Sequence, residues 1–246
     1  MTITPPEPRS KEGRFAQTHW SVVLRAGQGT PEERQEAVER LCRTYWKPLY
    51  YFLRGSGRTR EEAEDVVQEF FVQLLDGRLL ASADPSKGKF RTLILTTLRN
   101  VESSLLRAER AQKRGGGITL VPLDVAQAEE GWQAREHLSP AAEYDRAWAT
   151  ALLDRAGARV KLEYEEEGKA ALFEELFPRI TGGKAADRLA DAGLRLGMSE
   201  IAVRTAASRM RRRYADAMRA EVAATVGVGD TADCQDEMRY LLDCFS

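Results

Sequence analysis

Two histidines, His19 and His137, and three cysteines, Cys42, Cys234 and Cys244, are all that this chain of 246 residues holds for soft metal or thiol chemistry. The cysteines are odd in number and widely spaced, so neither a disulfide framework nor a zinc site has its parts, and Cys42 reads as a core thiol. A carboxylate di-metal centre needs Glu-x-x-His pairs, yet the residues three before the histidines are Ala16 and Ala134. Gly182-Gly183-Lys184 lacks both the first glycine and the following Ser/Thr of a phosphate loop. A dominant charge is also missing. With 37 Lys+Arg against 38 Asp+Glu the net charge is -1, which argues against a generic polybasic binder. No apolar run approaches bilayer length, and the opening MTITPPEPRSKEGRF lacks the apolar segment of a signal peptide, so a cytoplasmic protein without a membrane partner is expected. Nothing here points to a catalytic residue, a metal or another cofactor.

What the chain does have is helical periodicity and sorted charge. In Glu61–Leu75, Ala63, Val66, Val67, Phe70, Phe71, Leu74 and Leu75 recur at three- and four-residue steps, one buried stripe of a helix. Glu61, Glu62, Glu64, Asp65, Gln68 and Glu69 fall on its other side as an acidic face. From Lys87 to Arg114 there are eight Lys/Arg against Glu102 and Glu109, and Ser199–Tyr214 carries five Arg against Glu200. Two basic stretches and one acidic helix face are the pattern of a protein with separate electrostatic surfaces.

In chain order, residues 1–14 are Pro-rich, polar and expected to be disordered, and a first helix is expected near Thr18 or Ser21. Pro31 opens the next, whose inner stripe is Ala37, Val38, Leu41, Tyr45, Leu49 and Phe52, with Pro48 expected to bend or break it. Asp84-Pro85-Ser86-Lys87-Gly88 is a turn signal before Phe90–Arg114, where Leu93, Leu95, Leu98, Val101 and Leu105 form the expected inward stripe. Residues 15–113 read as one helical domain, and 114–140, with its glycines and no sustained period, as a flexible linker. Residues 141–222 read as a second helical domain and 223–246 as a tail, with a short amphipathic helix at Met238–Phe245. Within the second domain Tyr144, Trp148, Ala151, Leu152, Ala156 and Val160 make one stripe. Leu189, Ala192, Gly193 and Leu196 form a short helix, Gly197 supplies a turn, and Ser199 caps a helix carrying Ile201, Val203, Ala207 and Met210, a helix-turn-helix. The fold class expected is all-α, two helical domains joined by a linker.

Tyr45–Leu53 (YWKPLYYFL), the turn Gly55–Arg60 and the run AEDVVQEFF resemble the opening of region 2 in bacterial RNA polymerase sigma factors of the extracytoplasmic-function type. The helix-turn-helix resembles region 4 of the same factors. The resemblance implies core RNA polymerase and promoter DNA as partners, with Asp65, Gln68 and Glu69 matching the positions that dock on a basic coiled coil of the polymerase. It implies a -10 element reader at Phe90, Arg91, Thr92, Asn100, Ser103 and Arg107. Phe90, Thr92 and Asn100 match the family's Phe, Thr and Asn, whereas Leu93, Thr97 and Leu98 depart from its Trp and Ile-Ala. It implies a -35 element reader with Ser199 as cap, Arg204, Thr205, Ser208 and Arg209 on bases and phosphates, and Arg211, Arg212 and Arg213 on the backbone. Arginine suits guanine and phosphate alike, and Ser or Thr can reach either kind of base edge. The implied function is promoter recognition and DNA melting in transcription initiation, without enzymatic activity. The alternative is a stand-alone helix-turn-helix regulator or a polymerase-binding adaptor without promoter opening. An anti-sigma factor as a further partner is left open.

Overall fold

Capping boxes set where the first two described helices begin. Thr30 and Thr59 accept the N–H groups of Glu33 and Glu62, whose carboxylates accept the cap N–H groups in return at 2.9 and 2.8 Å. The structure, a computed structural model, describes residues 29–76, 84, 88–109, 123–133, 138–182, 189–226 and 231–245. The helix expected near Thr18 or Ser21 lies outside these residues. Among the described residues the regular elements are all helices: α1 (Pro31–Gly55), α2 (Arg60–Leu75), α3 (Phe90–Glu109), α4 (Val125–Gln133), α5 (Pro140–Glu166), α6 (Ala170–Ile180), α7 (Leu189–Leu196), α8 (Glu200–Val226) and α9 (Thr231–Asp243). The chain is all-α, as its periodicity indicated. No described helix is long and apolar enough to cross a membrane.

α1 continues through Pro48 as one helix. The missing proline N–H costs it one ladder hydrogen bond, but its C-terminal half is gripped on all sides, with Tyr45, Trp46, Leu49, Tyr50, Tyr51, Phe52 and Leu53 all buried. A helix apolar around its whole circumference needs several neighbours, and α2, α4 and α5 supply them. Cys42 lies in this core, where burial pushes its thiol up to about 12 and leaves it inert.

Aromatic rings join α1 to α3 and α5. Tyr45 stacks on Trp148 with ring centroids 4.2 Å apart, and Phe90 lies 5.7 Å from Tyr45 and 5.8 Å from Trp148. Arg155 of α5 ties α8 to this joint and holds α1 a second time. Its Nε lies 2.8 Å from the buried Glu221 carboxylate of α8, and its Nη1 donates to the Thr44 hydroxyl of α1 at 3.2 Å.

Residues 114–140, expected to be a linker, contain α4. Its apolar stripe, the buried Val125 and Ala128 with the half-buried Trp132, spans only two turns, and polar contacts complete its docking on α1. Arg54 donates to both Glu129 oxygens at 2.6 and 3.1 Å, Tyr50 donates to the same carboxylate, and Lys47 donates to Gln127 at 2.6 Å. Gly131 permits the approach, since a Cβ there would stand 2.5 Å from the Tyr51 hydroxyl. Farther along, Gly157 of α5 makes room for Phe177 of α6, which stacks on Phe173 at 4.5 Å and meets Tyr214 of α8 edge-on at 5.2 Å.

The tail forms α9, longer than the helix expected at Met238–Phe245, and it packs on α8 and α5 through the buried Leu241. Its buried Glu237 lies 3.1 Å from Arg91 Nε and 2.7 Å from Lys89 Nζ. Arg91 also donates to Asp145 of α5, which Tyr240 of α9 binds from the other side. This cluster pins the start of α3 beneath the C-terminal helices.

Two outcomes test this packing. Trp148→Ala is expected to cost about 3–5 kcal/mol in urea unfolding, and a loss below about 1 kcal/mol would contradict its place at the joint. The Arg54 hydrogen bond holds the Glu129 carboxyl below its ordinary value of 4.5. Its contribution to docking α4 is therefore full above that value and lost as pH falls through the lower folded value. Amide protection in Val125–Gln133 should fall in this acid range and lose its pH dependence in Glu129→Gln. An unchanged profile in the variant would show that another group carries it.

Candidate functional site

Three surfaces collect the residues singled out from the sequence. The first is the outer side of α2. Burying Ala63, Val66, Val67, Phe70, Phe71 and Leu74 against α1 and α3 turns the acids out, with Asp65 exposed and Gln68 and Glu69 half-buried. Gln73 donates to Glu69 at 2.6 Å and orients that carboxylate one turn beyond Asp65. Glu61 and Glu62 add exposed charge at the helix start, giving a continuous acidic face suited to a basic helix.

The second surface is α3. Its fully inward residues are Phe90, Ile94, Leu98 and Val101, while Leu93, Leu95 and Leu105 are only half-buried. Opposite them, Thr92, Thr96, Arg99, Asn100, Ser103 and Arg107 share one exposed face. Arg99 lies on this face as its place outside the inward stripe indicated, and Thr96, which did not stand among the candidate contacts, joins it at a four-residue step from Thr92. Arg99 lies 5.1 Å over the Phe52 ring, and Arg107 bonds back to the Ser103 carbonyl at 3.0 Å, so the helix fixes both stems.

Two candidates are not on that face. Phe90 is fully buried between Tyr45 and Trp148, because its place continues the stripe of Ile94, Leu98 and Val101. Arg91 sits on the flank facing α5 and α9, where Asp145 and Glu237 neutralise it, and its guanidinium lies 4.7 Å over the Tyr240 ring. Both support the start of α3 from within rather than offer a contact outward.

The third surface is formed by α7 and α8. Gly197, at φ +62, makes the turn, and Ser199 accepts the Ala202 N–H at 3.3 Å as the cap of α8. The helices meet closely because position 193 is glycine, where a Cβ would stand 2.8 Å from the Met198 carbonyl oxygen. Glu175 of α6 holds α7 through Arg195 at 2.7 Å. With Val203, Ala207 and Met210 buried, Arg204, Thr205, Ser208, Arg209, Arg211 and Arg212 are all exposed. Glu200 pairs with Arg204 at 2.6 Å, and the Thr205 hydroxyl donates to the Ile201 carbonyl at 2.9 Å. Arg213 differs from its neighbours. It is half-buried, lies 4.9 Å over the Tyr164 ring and pairs at 2.7 Å with Glu167, whose carboxyl is held below its ordinary range by Lys169 and Arg213. Ile201, named from the sequence alongside Val203, Ala207 and Met210, does not share their burial and is 80% exposed.

Residues 41–112 match the family model for Sigma-70 region 2. The span takes in α1 from Leu41 onward, all of α2 and all of α3, and so contains both the acidic face and the exposed face of α3. The match covers under a third of the chain, and at family level it supports a sigma factor. No curated protein and no solved structure matches the chain.

The contact at Gly193 carries its own test. Gly193→Ala is expected to destabilise the protein by about 1–3 kcal/mol through the clash with a backbone carbonyl, outweighing the helix propensity alanine adds. Thermal unfolding at an equal or higher temperature would contradict the close approach.

Proposed function

We propose that this protein is a sigma factor of the extracytoplasmic-function type, which binds core RNA polymerase and directs it to promoters in the cytoplasm. The match to region 2 carries the proposal, because it falls on the helices that bear the acidic face and the exposed α3 face. In this reading the outer side of α2, with Asp65, Gln68 and Glu69, docks on a basic helix of the polymerase. Opposite potentials there accelerate encounter and set register more than they add raw affinity.

The exposed face of α3 holds the -10 element. Arg99 and Arg107 meet phosphates, while Thr92, Asn100 and Ser103 reach the bases, an arrangement of cations and small polar groups suited to a separated strand. Melting then needs no hydrolysis, since contacts to extruded bases offset an unstacking cost of a few kcal/mol. Phe90 and Arg91 hold the start of that helix in place. The pair α7–α8 acts as the helix-turn-helix that reads the -35 element, with α8 in the major groove and Arg211 and Arg212 on the backbone. Residues 15–113 and 141–222 are the two functional units, and α4 lies in the segment between them. The same acidic and basic faces would be the targets of an anti-sigma factor.

Two variants test the assignment. Asp65→Arg is expected to abolish co-purification with core RNA polymerase while the circular dichroism spectrum stays native, and retained binding by the folded variant would exclude α2 as the docking face. Arg204→Ala and Arg209→Ala should each weaken promoter binding of the polymerase complex by about 1–3 kcal/mol if they read bases. Unchanged affinity in a filter-binding titration would remove them from the DNA interface.

A further inference from the structure

The outward face of α8 has an apolar centre that the arginine-rich sequence conceals. Ile201 is 80% exposed in the first turn of the helix. At steps of four, seven and eleven residues from it stand Thr205, Ser208 and Arg212, all exposed and on the same line. Arg204 and Arg211 border this line on one side and Arg209 on the other. A single exposed isoleucine is ordinary on a protein surface. This one occupies the middle of a face otherwise bordered by cations, where it interrupts the positive potential without contributing to the core.

Thr205 extends the apolar character. Its hydroxyl proton is already given to the Ile201 carbonyl at 2.9 Å, so the direct donor that threonine would bring to a base edge is spent inside the helix. What remains for an outside partner is its methyl group and the acceptor lone pairs of its oxygen. Arg204, in contrast, is steered by Glu200, which holds the guanidinium at 2.6 Å one turn from the helix start. The face thus offers two adjacent apolar groups between positioned guanidiniums.

Among the groups displayed in the major groove of DNA, only the thymine 5-methyl is apolar. We propose that Ile201 and the Thr205 methyl are specificity determinants that read thymine 5-methyl groups in the upstream promoter element, beside the positions met by Arg204 and Arg209. The inference rests on α8 being the groove-reading helix and names the bases it selects. Arginine on both flanks fits a polyanion and disfavours a basic protein surface as the occupant. The selected element therefore contains at least one A·T pair chosen for its methyl group and not for a hydrogen bond.

The test replaces thymine by deoxyuridine, which deletes the methyl and leaves every hydrogen-bonding group in place. Duplexes selected from a random library by the full chain in complex with core RNA polymerase provide the element, and each thymine in it is then exchanged singly. One or two exchanges are expected to weaken binding about fourfold, the loss of one buried methyl. Ile201→Ala should make binding indifferent to one of these exchanges. Thr205→Ser, which keeps the hydroxyl bonded to the Ile201 carbonyl, should do so for the other. Neither change touches the core. If no exchange affects binding while Arg204→Ala still weakens it, the proposal fails and α8 reads DNA by its arginines alone. If the library yields no common element and Arg204→Ala has no effect, groove reading by α8 fails along with it. If Ile201→Ala weakens the complex with core polymerase in the absence of DNA, the isoleucine is a protein contact and the proposal is overturned.

Discussion

The contact on which the rest of the molecule depends is the aromatic joint of Tyr45, Phe90 and Trp148. One ring comes from α1, one from α3 and one from α5, so a single buried cluster fastens the N-terminal helices to the C-terminal part of the chain. The necessity for it is written into YWKPLYYFL. A helix that is apolar on every side cannot be satisfied by one neighbour, and α5 covers what α2 and α4 leave open. Fixing α1 in this way fixes α2 beside it and with that the direction of the acidic face. Function at the surface is a consequence of how the core is closed.

Charge is divided between two jobs. Arg54, Arg58, Arg91 and Arg155 are turned inward and paired with Glu129, Glu102, Asp145, Glu237 and Glu221, where they decide which helix lies against which. Such partly buried pairs fix register more dependably than they add net stability, because desolvation consumes much of their attraction. The exposed acids of α2 and exposed arginines of α8 remain for partners. The near-neutral total therefore hides an exposed acidic face on α2 and exposed arginines on α3 and α8.

Much of this was legible from the order of residues. The α2 stripe, the Ser199 cap and the turn at Gly197 follow from spacing and from the few conformations those residues favour. Four features escaped. α4 is short, its apolar stripe is only Val125, Ala128 and Trp132, and the contacts from Arg54, Tyr50 and Lys47 that complete its docking come from some eighty positions away and leave no periodic trace. In α3 the inward stripe could be drawn through Leu93 and Leu95 or through Phe90 and Ile94. The structure chooses the second because Trp148 and Tyr45 wait there, which the local sequence does not contain. Arg91 looked like one more cation of a basic helix until α9 brought Glu237 to it, and a residue with acidic partners at positions 145 and 237 cannot be told from a free one by its neighbours in the chain. Ile201 failed in the opposite sense, an apolar residue that the helix turns away from its core.

The claim that unites these surfaces is that the protein makes core RNA polymerase start at defined promoters. It is tested most directly by run-off transcription with purified core enzyme on genomic promoter fragments, with and without this protein. Transcripts with a single start site, appearing only when the protein is added and lost with Asp65→Arg, are the result the account predicts. Polymerase that binds the protein through α2 yet yields no protein-dependent transcript from any fragment would contradict it.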